Sequence, residues 1–154
     1  MKGVKVYRCE PSDNIEILKL LKDAIKEGVF PDEKPTPQQL RIYNFEGLLQ
    51  NELPNPNHFW LLAKRAKGRW GILHAYVVPN RWDRRLDRIF VDLAFVRSDK
   101  RKLGIGKKLI DDLFERAQNI GITKIEFLAK DKESEMWIKE RGAEKVSNLM
   151  RVNL

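Results

Sequence analysis

Stretches with helix-like and strand-like hydrophobic spacing alternate along the whole chain. Apolar residues recur every three or four positions in 13–28, 37–53 and 105–121, as they do when a helix buries one face. Runs rich in β-branched and aromatic residues at 58–66, 69–78 and 88–96 predict three consecutive strands, the first two joined by a turn at Lys67-Gly68. Shorter strands are predicted at 4–8 and 124–129, a helix at 131–141, and an extended stretch after it.

This order of elements predicts an α+β fold (α/β three-layer), with a mixed, mostly antiparallel sheet flanked by helices. The strands within 58–96 form a predicted meander and are therefore expected to pair antiparallel. The last strand–helix–strand unit, formed by 124–129, 131–141 and the extended stretch after them, predicts a right-handed parallel crossover. With 154 residues, 42% of them hydrophobic, the chain 1–154 is expected to form a single domain.

The segment Arg-Lys-Leu-Gly-Ile-Gly-Lys-Lys at 101–108 lies where a strand is expected to give way to a helix. Gly104 and Gly106 allow the backbone to come close to a ligand, and a helix N-terminus offers free N–H groups to an anion. Two other phosphate motifs do not fit, because Arg101 occupies the first glycine position of a Walker A loop and Leu109 the third glycine position of a dinucleotide-binding turn. The segment therefore predicts a pyrophosphate site.

Val96, Arg101, Gly104 and Gly106 follow the spacing V-x-x-x-x-R/Q-x-x-G-x-G/A. At a strand-to-helix turn this pattern resembles motif A of the GNAT superfamily, the acyl-CoA-dependent N-acyltransferases, and the predicted element order is similar to that fold across nearly the whole chain. The resemblance implies a GNAT-like sheet whose fourth and fifth strands splay apart to admit a thioester, with acetyl-CoA as co-substrate and no metal.

The resemblance also implies which residues hold acetyl-CoA, all of them through their backbone. The pantetheine arm would pair with the fourth strand at Leu93, Ala94, Phe95 and Val96. The pyrophosphate would be held by the amides of Arg101, Lys102, Leu103, Gly104, Ile105, Gly106 and Lys107.

The last predicted helix departs from the family pattern. Many members carry Asn at its start and, seven residues later, a Tyr that protonates the leaving thiolate; Asp131 and Ile138 stand at those positions here. Asp131 can still cap the helix and accept a hydrogen bond from the pantetheine arm, but Ile138 cannot donate a proton. Either another donor serves, with His74 and Tyr76 as candidates, or the thiolate leaves unassisted or through water.

Asp92 is the first candidate for the catalytic base that removes a proton from an acceptor amine. It interrupts an apolar strand, and a carboxylate there is costly unless it faces a cleft or a partner. Strict alternation puts Asp92 on one face of the strand with Ala94 and Val96, and puts on the opposite face Val91, Leu93 and Phe95. The alternative is a structural ion pair between Asp92 and an arginine such as Arg81 or Arg88.

Glu126 is the second candidate for the base. It lies five residues before Asp131, where several members of the family place a catalytic Glu. The alternative is a solvated strand residue without a catalytic role.

The formal net charge of +8 suits an anionic partner. Arg81, Arg84 and Arg85 crowd the connection at 79–87 together with Trp82, an arrangement that can bind nucleic acid, with the indole stacking on a base. The alternative is a solvated loop whose own aspartates pair with the arginines.

Together these features predict an N-acetyltransferase that passes the acetyl group of acetyl-CoA to a primary amine, of a small molecule or a protein, by direct attack in a ternary complex. The alternatives are a GNAT-like module that has lost catalysis and binds nucleic acid, and an acetyltransferase acting on an aminoacyl-tRNA. The single cysteine, Cys9, and the lack of a long apolar run predict a cytoplasmic protein without a membrane span. The oligomeric state stays open, a dimer included.

Overall fold

The computed structural model describes residues 3–29, 45–128, 132–146 and 150–154. The strands in this part of the chain are β1 (Lys5–Arg8), β2 (His58–Arg65), β3 (Gly68–Val78), β4 (Arg88–Val96) and β5 (Ile125–Phe127). The α-helices are α1 (Asn14–Lys26), α2 (Phe45–Glu52), α3 (Ile105–Asn119) and α4 (Lys132–Lys139). The predicted start of the second helix, at 37–44, lies outside the described residues.

The five strands form one sheet in the order of the sequence. Neighbouring strands from β1 to β4 are antiparallel, and β5 runs parallel to β4 after the connection through α3. The predicted mixed, mostly antiparallel sheet flanked by helices is therefore confirmed. The extended stretch predicted after the last helix forms no strand at 143–146 or 150–154, and its middle part, 147–149, is not among the described residues.

Each face of the sheet carries its own apolar cluster. On one face, α1 and the end of α2 cover Trp60, Leu62, Ile72, Leu93 and Phe95. On the other face, α3 packs its apolar stripe against the sheet, with buried Leu109 and Leu113 at its centre. The result is the predicted three-layer arrangement, because each helix has only one apolar face to bury.

A β-bulge at Asp92 changes the facing of β4. Val91 pairs with Ala75 and Leu93 pairs with His74, so Asp92 is the extra residue on β4. Val91 consequently packs on the α3 side, whereas Leu93 packs on the α1 side. The strict alternation predicted from the sequence was wrong here: Val91 and Leu93 face opposite layers, and Asp92 points towards His74 on the α1 side.

Strands β4 and β5 pair over only three positions, from Ile89–Ile125 to Val91–Phe127. Beyond the bulge β4 continues to Val96, and within the described residues no strand pairs with its outer edge. The pairing of the two parallel strands thus ends just before Asp92. None of the helices in the described ranges has the length and apolar character needed to cross a bilayer.

Candidate active site

The glycine turn, residues 97–104, connects the end of β4 to the start of α3. Gly104 is the residue before the first helical turn and has a φ of 76°, in the left-handed region that favours glycine. Lys102 also has a positive φ, 61°. Left-handed residues within such a turn are typical of loops whose successive N–H groups converge on an anion, and the first N–H groups of α3 have no partner within the helix.

A cleft of about 260 Å³ opens over this turn and the first residues of α3. The positive end of the helix dipole and several cationic side chains surround it, an environment that favours a phosphate group. The cleft is lined by Val96, Lys100, Arg101, Lys102, Gly104, Ile105, Gly106, Lys107, Glu140 and Arg141. Six of the seven residues predicted to hold a pyrophosphate are therefore on its wall; Leu103 lies in the same turn and is exposed.

The side chain of Arg101 is used to hold the turn. Its Nε donates to the carbonyl oxygen of Val96 at 3.1 Å, and its guanidinium forms an ion pair with Glu27, the residue after the end of α1. The turn is thereby tied both to the end of β4 and to the neighbouring helix. Sequence reasoning did not find Glu27, because nothing local in a helix end marks a partner 74 positions away.

The four β4 residues predicted to pair with a pantetheine arm lie between the bulge and the glycine turn. The side chains of Leu93, Phe95 and Val96 are buried, whereas that of Ala94 is exposed. Their outer backbone edge pairs with no strand in the described part of the chain. The predicted pantetheine contact Asp131 lies outside the described residues, and Ile138 lies half-buried on α4.

Asp92 and His74 form a close hydrogen-bonded pair at the bulge. The Nδ1 of His74 lies 2.6 Å from Oδ1 of Asp92. The histidine side chain is buried, with 7% exposure, whereas that of Asp92 is 42% exposed. Asp92 thus presents a solvent-accessible carboxylate whose inner oxygen is held by a buried imidazole, and neither arginine considered as its partner takes that place.

Behind this pair the chain brings together three further side chains that the sequence did not single out as a group. His58 Nδ1 lies 3.0 Å from Nε2 of His74. Glu52 receives a hydrogen bond from the indole of Trp60 at 2.9 Å, and its carboxylate oxygens lie 3.6 Å from His58 and 3.5 Å from His74. Trp60 also stacks on the His74 ring, with centroids 4.2 Å apart.

Glu126 lies on the same face of the sheet, since its Cα partner on β4 is Phe90, whose ring contacts Tyr76. Its carboxylate forms an ion pair with Arg88. Both candidate bases therefore line the α1 face, but Glu126 is already engaged by a guanidinium and Asp92 by an imidazole. Tyr76 is half-buried in the same row, next to His58.

The arginine-rich connection lies at the end of the sheet away from the glycine turn. Asp83 binds Arg85 through both carboxylate oxygens, and this hydrogen-bonded pair lowers the pKa of the Asp83 carboxyl. Arg81 lies over the ring of Trp82, which is 85% exposed. One arginine is paired as the solvated-loop alternative expects, and the indole is accessible as the nucleic-acid alternative requires.

Cys9 lies just after β1, with its backbone N–H bonded to Trp60 and its side chain buried. Burial raises the pKa of its thiol to about 12, and Asp13 adds to the effect. A thiol held in this neutral form is a poor nucleophile. Cys9 is therefore a packing residue.

The chain belongs to the acetyltransferase (GNAT) family, whose sequence profile matches residues 18–145. The family places it among enzymes that transfer an acyl group from acyl-CoA, as motif A predicted. No curated protein matches the sequence.

Solved structures of acetyltransferases share the fold. One is an aminoglycoside acetyltransferase from an uncultured soil metagenomic sample in complex with sisomicin: TM-score 0.73, 20% identity, 99% of this chain and 97% of that chain covered. A second is a ribosomal-protein-alanine N-acetyltransferase from Brucella melitensis biovar Abortus: TM-score 0.73, 19% identity, coverage 98% and 99%. A third is a predicted acetyltransferase with acetyl-CoA from Clostridium acetobutylicum: TM-score 0.73, 17% identity, coverage 97% and 96%.

Proposed function

We propose that this protein is an N-acetyltransferase that passes the acetyl group of acetyl-CoA to a primary amine by direct attack in a ternary complex. The observation that carries the proposal is the continuity of three features along one strand. The bulge at Asp92, the outer edge of β4 that pairs with no described strand, and the glycine turn before α3 follow one another within residues 92–106. In this proposal the chain acts as one catalytic domain in the cytoplasm.

Acetyl-CoA would lie along this path. Its pyrophosphate is received by the N–H groups at the start of α3, where Gly104 leaves room for close approach. The pantetheine amides bond to the outer edge of β4, which pairs with no strand among the described residues. The thioester then reaches the point where the pairing of β4 and β5 ends, next to the exposed carboxylate of Asp92.

Asp92 is the base in this proposal. An amine is mostly protonated at neutral pH, so the exposed carboxylate takes a proton from the ammonium group, directly or through one water. The free amine nitrogen forms a bond to the thioester carbonyl carbon, the C–S bond breaks, and CoA leaves as the thiolate. The nitrogen then loses its second proton to solvent and becomes the amide. Glu126 is the weaker candidate because Arg88 already occupies its carboxylate.

The proton for the leaving thiolate comes from solvent in this proposal. The residue at the family's usual tyrosine position is Ile138, which has no proton to give. Both ring nitrogens of His74 face other polar atoms. A thiolate of ordinary acidity leaves without strong acid assistance near neutral pH.

The acceptor is an amine of unassigned identity. One of the structural neighbours is named for aminoglycosides and another for the alanine of a ribosomal protein, both of which present amines. A panel of aminoglycosides, polyamines and peptides with free N-termini, screened for CoA release, would find the class. Salt-dependent RNA binding lost on changing Arg84 and Arg85 to Ala, without CoA release, would favour the nucleic-acid module instead.

The assignment of the base is tested by two isosteric variants. Asp92→Asn is expected to lower kcat by roughly 10²-fold or more, the usual contribution of a general base. Glu126→Gln, the matched control on the same face, is expected to stay within a few-fold of the wild type. The reverse order of effects would assign the base to Glu126.

A further inference from the structure

The two histidines of this chain contact each other. The chain contains only two, His58 and His74, and their Nδ1 and Nε2 atoms are 3.0 Å apart. The ring planes differ by only 18°, and the centroids are 5.3 Å apart. With two ring nitrogens 3.0 Å apart, about 5.3 Å is the greatest distance that the two ring centroids can have. The two facing nitrogens therefore lie on the line that joins the centroids. One nitrogen must donate and the other accept.

The direction of this hydrogen bond follows from Asp92. An ionised carboxylate can only accept, so the 2.6 Å contact is a hydrogen bond in the tautomer in which His74 donates its Nδ1–H. A neutral His74 then has a lone pair on Nε2, and that atom needs a donor because the ring is buried. His58 supplies it, through Nδ1–H.

Glu52 offers His74 a second acceptor, so the tautomer of His74 depends on what surrounds its Nε2 atom. Its carboxylate lies 3.5 Å from Nε2 of His74 and is fixed in place by the Trp60 indole. Without the donor from His58, the His74 proton would have a second acceptor on the Nε2 side. A proton placed there would leave a lone pair on Nδ1 facing the carboxylate of Asp92, an arrangement that is repulsive.

A metal site is the other reading of the same cluster. Glu52, His58 and His74 each offer a ligand atom, and these atoms lie within 4.8 Å of one another. Two imidazoles that share a metal must direct their lone pairs at a third point. Here the facing nitrogens point at each other, which is the geometry of a hydrogen bond.

We propose that His58 is a positioning residue: by donating to His74 it fixes the Nδ1–H tautomer, and so holds the Asp92 carboxylate oriented for proton transfer. The inference rests on the proposed function, in which Asp92 is the base. In such an arrangement His74 orients the base Asp92 through a hydrogen bond, and His58 in turn sets the tautomer of His74.

Nitrogen NMR on protein labelled with [15N]histidine tests the tautomer without any assay of activity. Because the chain has only two histidines, all imidazole signals come from this cluster. At a pH where both rings are neutral, both are expected to carry the proton on Nδ1. In His58→Leu the signal of the Nδ1–H tautomer of His74 should be lost or greatly weakened, whereas His58→Asn, whose amide can still donate, should keep it. An unchanged His74 tautomer in His58→Leu would overturn the proposal.

Kinetics test the consequence for Asp92. His58→Leu is expected to lower kcat by roughly 10- to 100-fold, which is part of the contribution of a general base. The KM for acetyl-CoA should stay unchanged. His58→Asn should recover most of the kcat. Equal kcat values for the Leu and Asn variants, with both folded by circular dichroism, would contradict a role for the donor.

The two measurements separate the possible failures. If the wild type transfers no acetyl group to any amine, the proposed function fails, and the NMR experiment still decides the tautomer. Titration with Zn²⁺ tests the alternative of a metal site. Stoichiometric Zn²⁺ binding, with coordination shifts on both imidazoles in the wild type and no such shifts in His58→Leu, would replace the tautomer proposal with a metal site.

Discussion

A single methyl group at Gly104 gives the sharpest test of the anion-binding turn. Gly104 has a φ of 76°, and a Cβ added there would have no heavy atom within 4 Å. Gly121, just beyond the other end of α3, has a φ of 80° and equally open space. The two glycines therefore form a matched pair, in which an alanine meets the same backbone strain and only one methyl group enters the cleft.

The expected magnitudes are different for stability and for binding. Placing alanine in the left-handed region costs roughly 1–2 kcal/mol, so both variants should lose about 2–4 °C in Tm per kcal/mol. Only Gly104→Ala puts a methyl group where a pyrophosphate must approach the backbone. Losing one hydrogen bond to a charged group costs about 1.5–3 kcal/mol, which is roughly a 10- to 100-fold rise in the Kd for acetyl-CoA.

Calorimetric titration with acetyl-CoA, together with thermal denaturation of both variants, checks this prediction. Gly121→Ala should bind acetyl-CoA as the wild type does while sharing the loss of stability. If the two variants bind acetyl-CoA with equal affinity, the reasoning that places the pyrophosphate at this turn is refuted. A wild type that shows no binding at millimolar acetyl-CoA would remove the donor from the proposed function altogether.

The remaining predictions concern the packing around the site. Gly71→Ala should destabilise the fold by roughly 1–3 kcal/mol in urea denaturation, because the new Cβ would lie 3.0 Å from the carbonyl oxygen of Phe95; an unchanged midpoint would contradict that contact. Trp60→Phe removes the donor to Glu52 and should cost about 1–3 kcal/mol, measured the same way. Cys9, with its thiol pKa raised by burial to about 12, should resist a thiol-disulfide reagent at pH 8 until denaturant is added. Because that thiol ionises only in the unfolded chain between pH 9 and 12, the free energy of unfolding should fall over that window in the wild type, and less in Cys9→Ala.

The features that the sequence predicted well depend on local backbone conformation and on the spacing of nearby residues. The helices, the first four strands and the glycine turn depend on spacing and on residues such as Gly104, whose positive φ leaves few alternatives. The pairing of strands followed from the short connections between them. These features are encoded within about a dozen neighbouring residues, so a single sequence suffices to find them.

The parts that were missed depend on contacts between distant segments. The bulge at Asp92 is invisible in the sequence, because Val91, Leu93 and Phe95 read as a regular alternation. The contact between Arg101 and Glu27 joins the glycine turn to the end of α1 by tertiary packing alone. The histidine pair was missed for the same reason: regular pairing about the predicted Lys67-Gly68 turn would place His58 opposite Val77 and on the other face from His74. The irregularity between Ala63 and Lys64 shifts the register, so that His58 lies opposite Tyr76.

The extra residue in β4 has a consequence for how this protein tolerates changes in length. Before the bulge Ile89 and Val91 pack beneath α3, and after it Leu93 and Phe95 pack beneath α1. Val91 and Leu93 already pair with consecutive residues of β3, so deleting Asp92 would restore regular pairing and leave Leu93 and Phe95 in the layer they now fill. A chain without Asp92 should therefore still fold, as circular dichroism would show, yet lose turnover as Asp92→Asn does, because the extra residue in β4 serves the chemistry and not the packing.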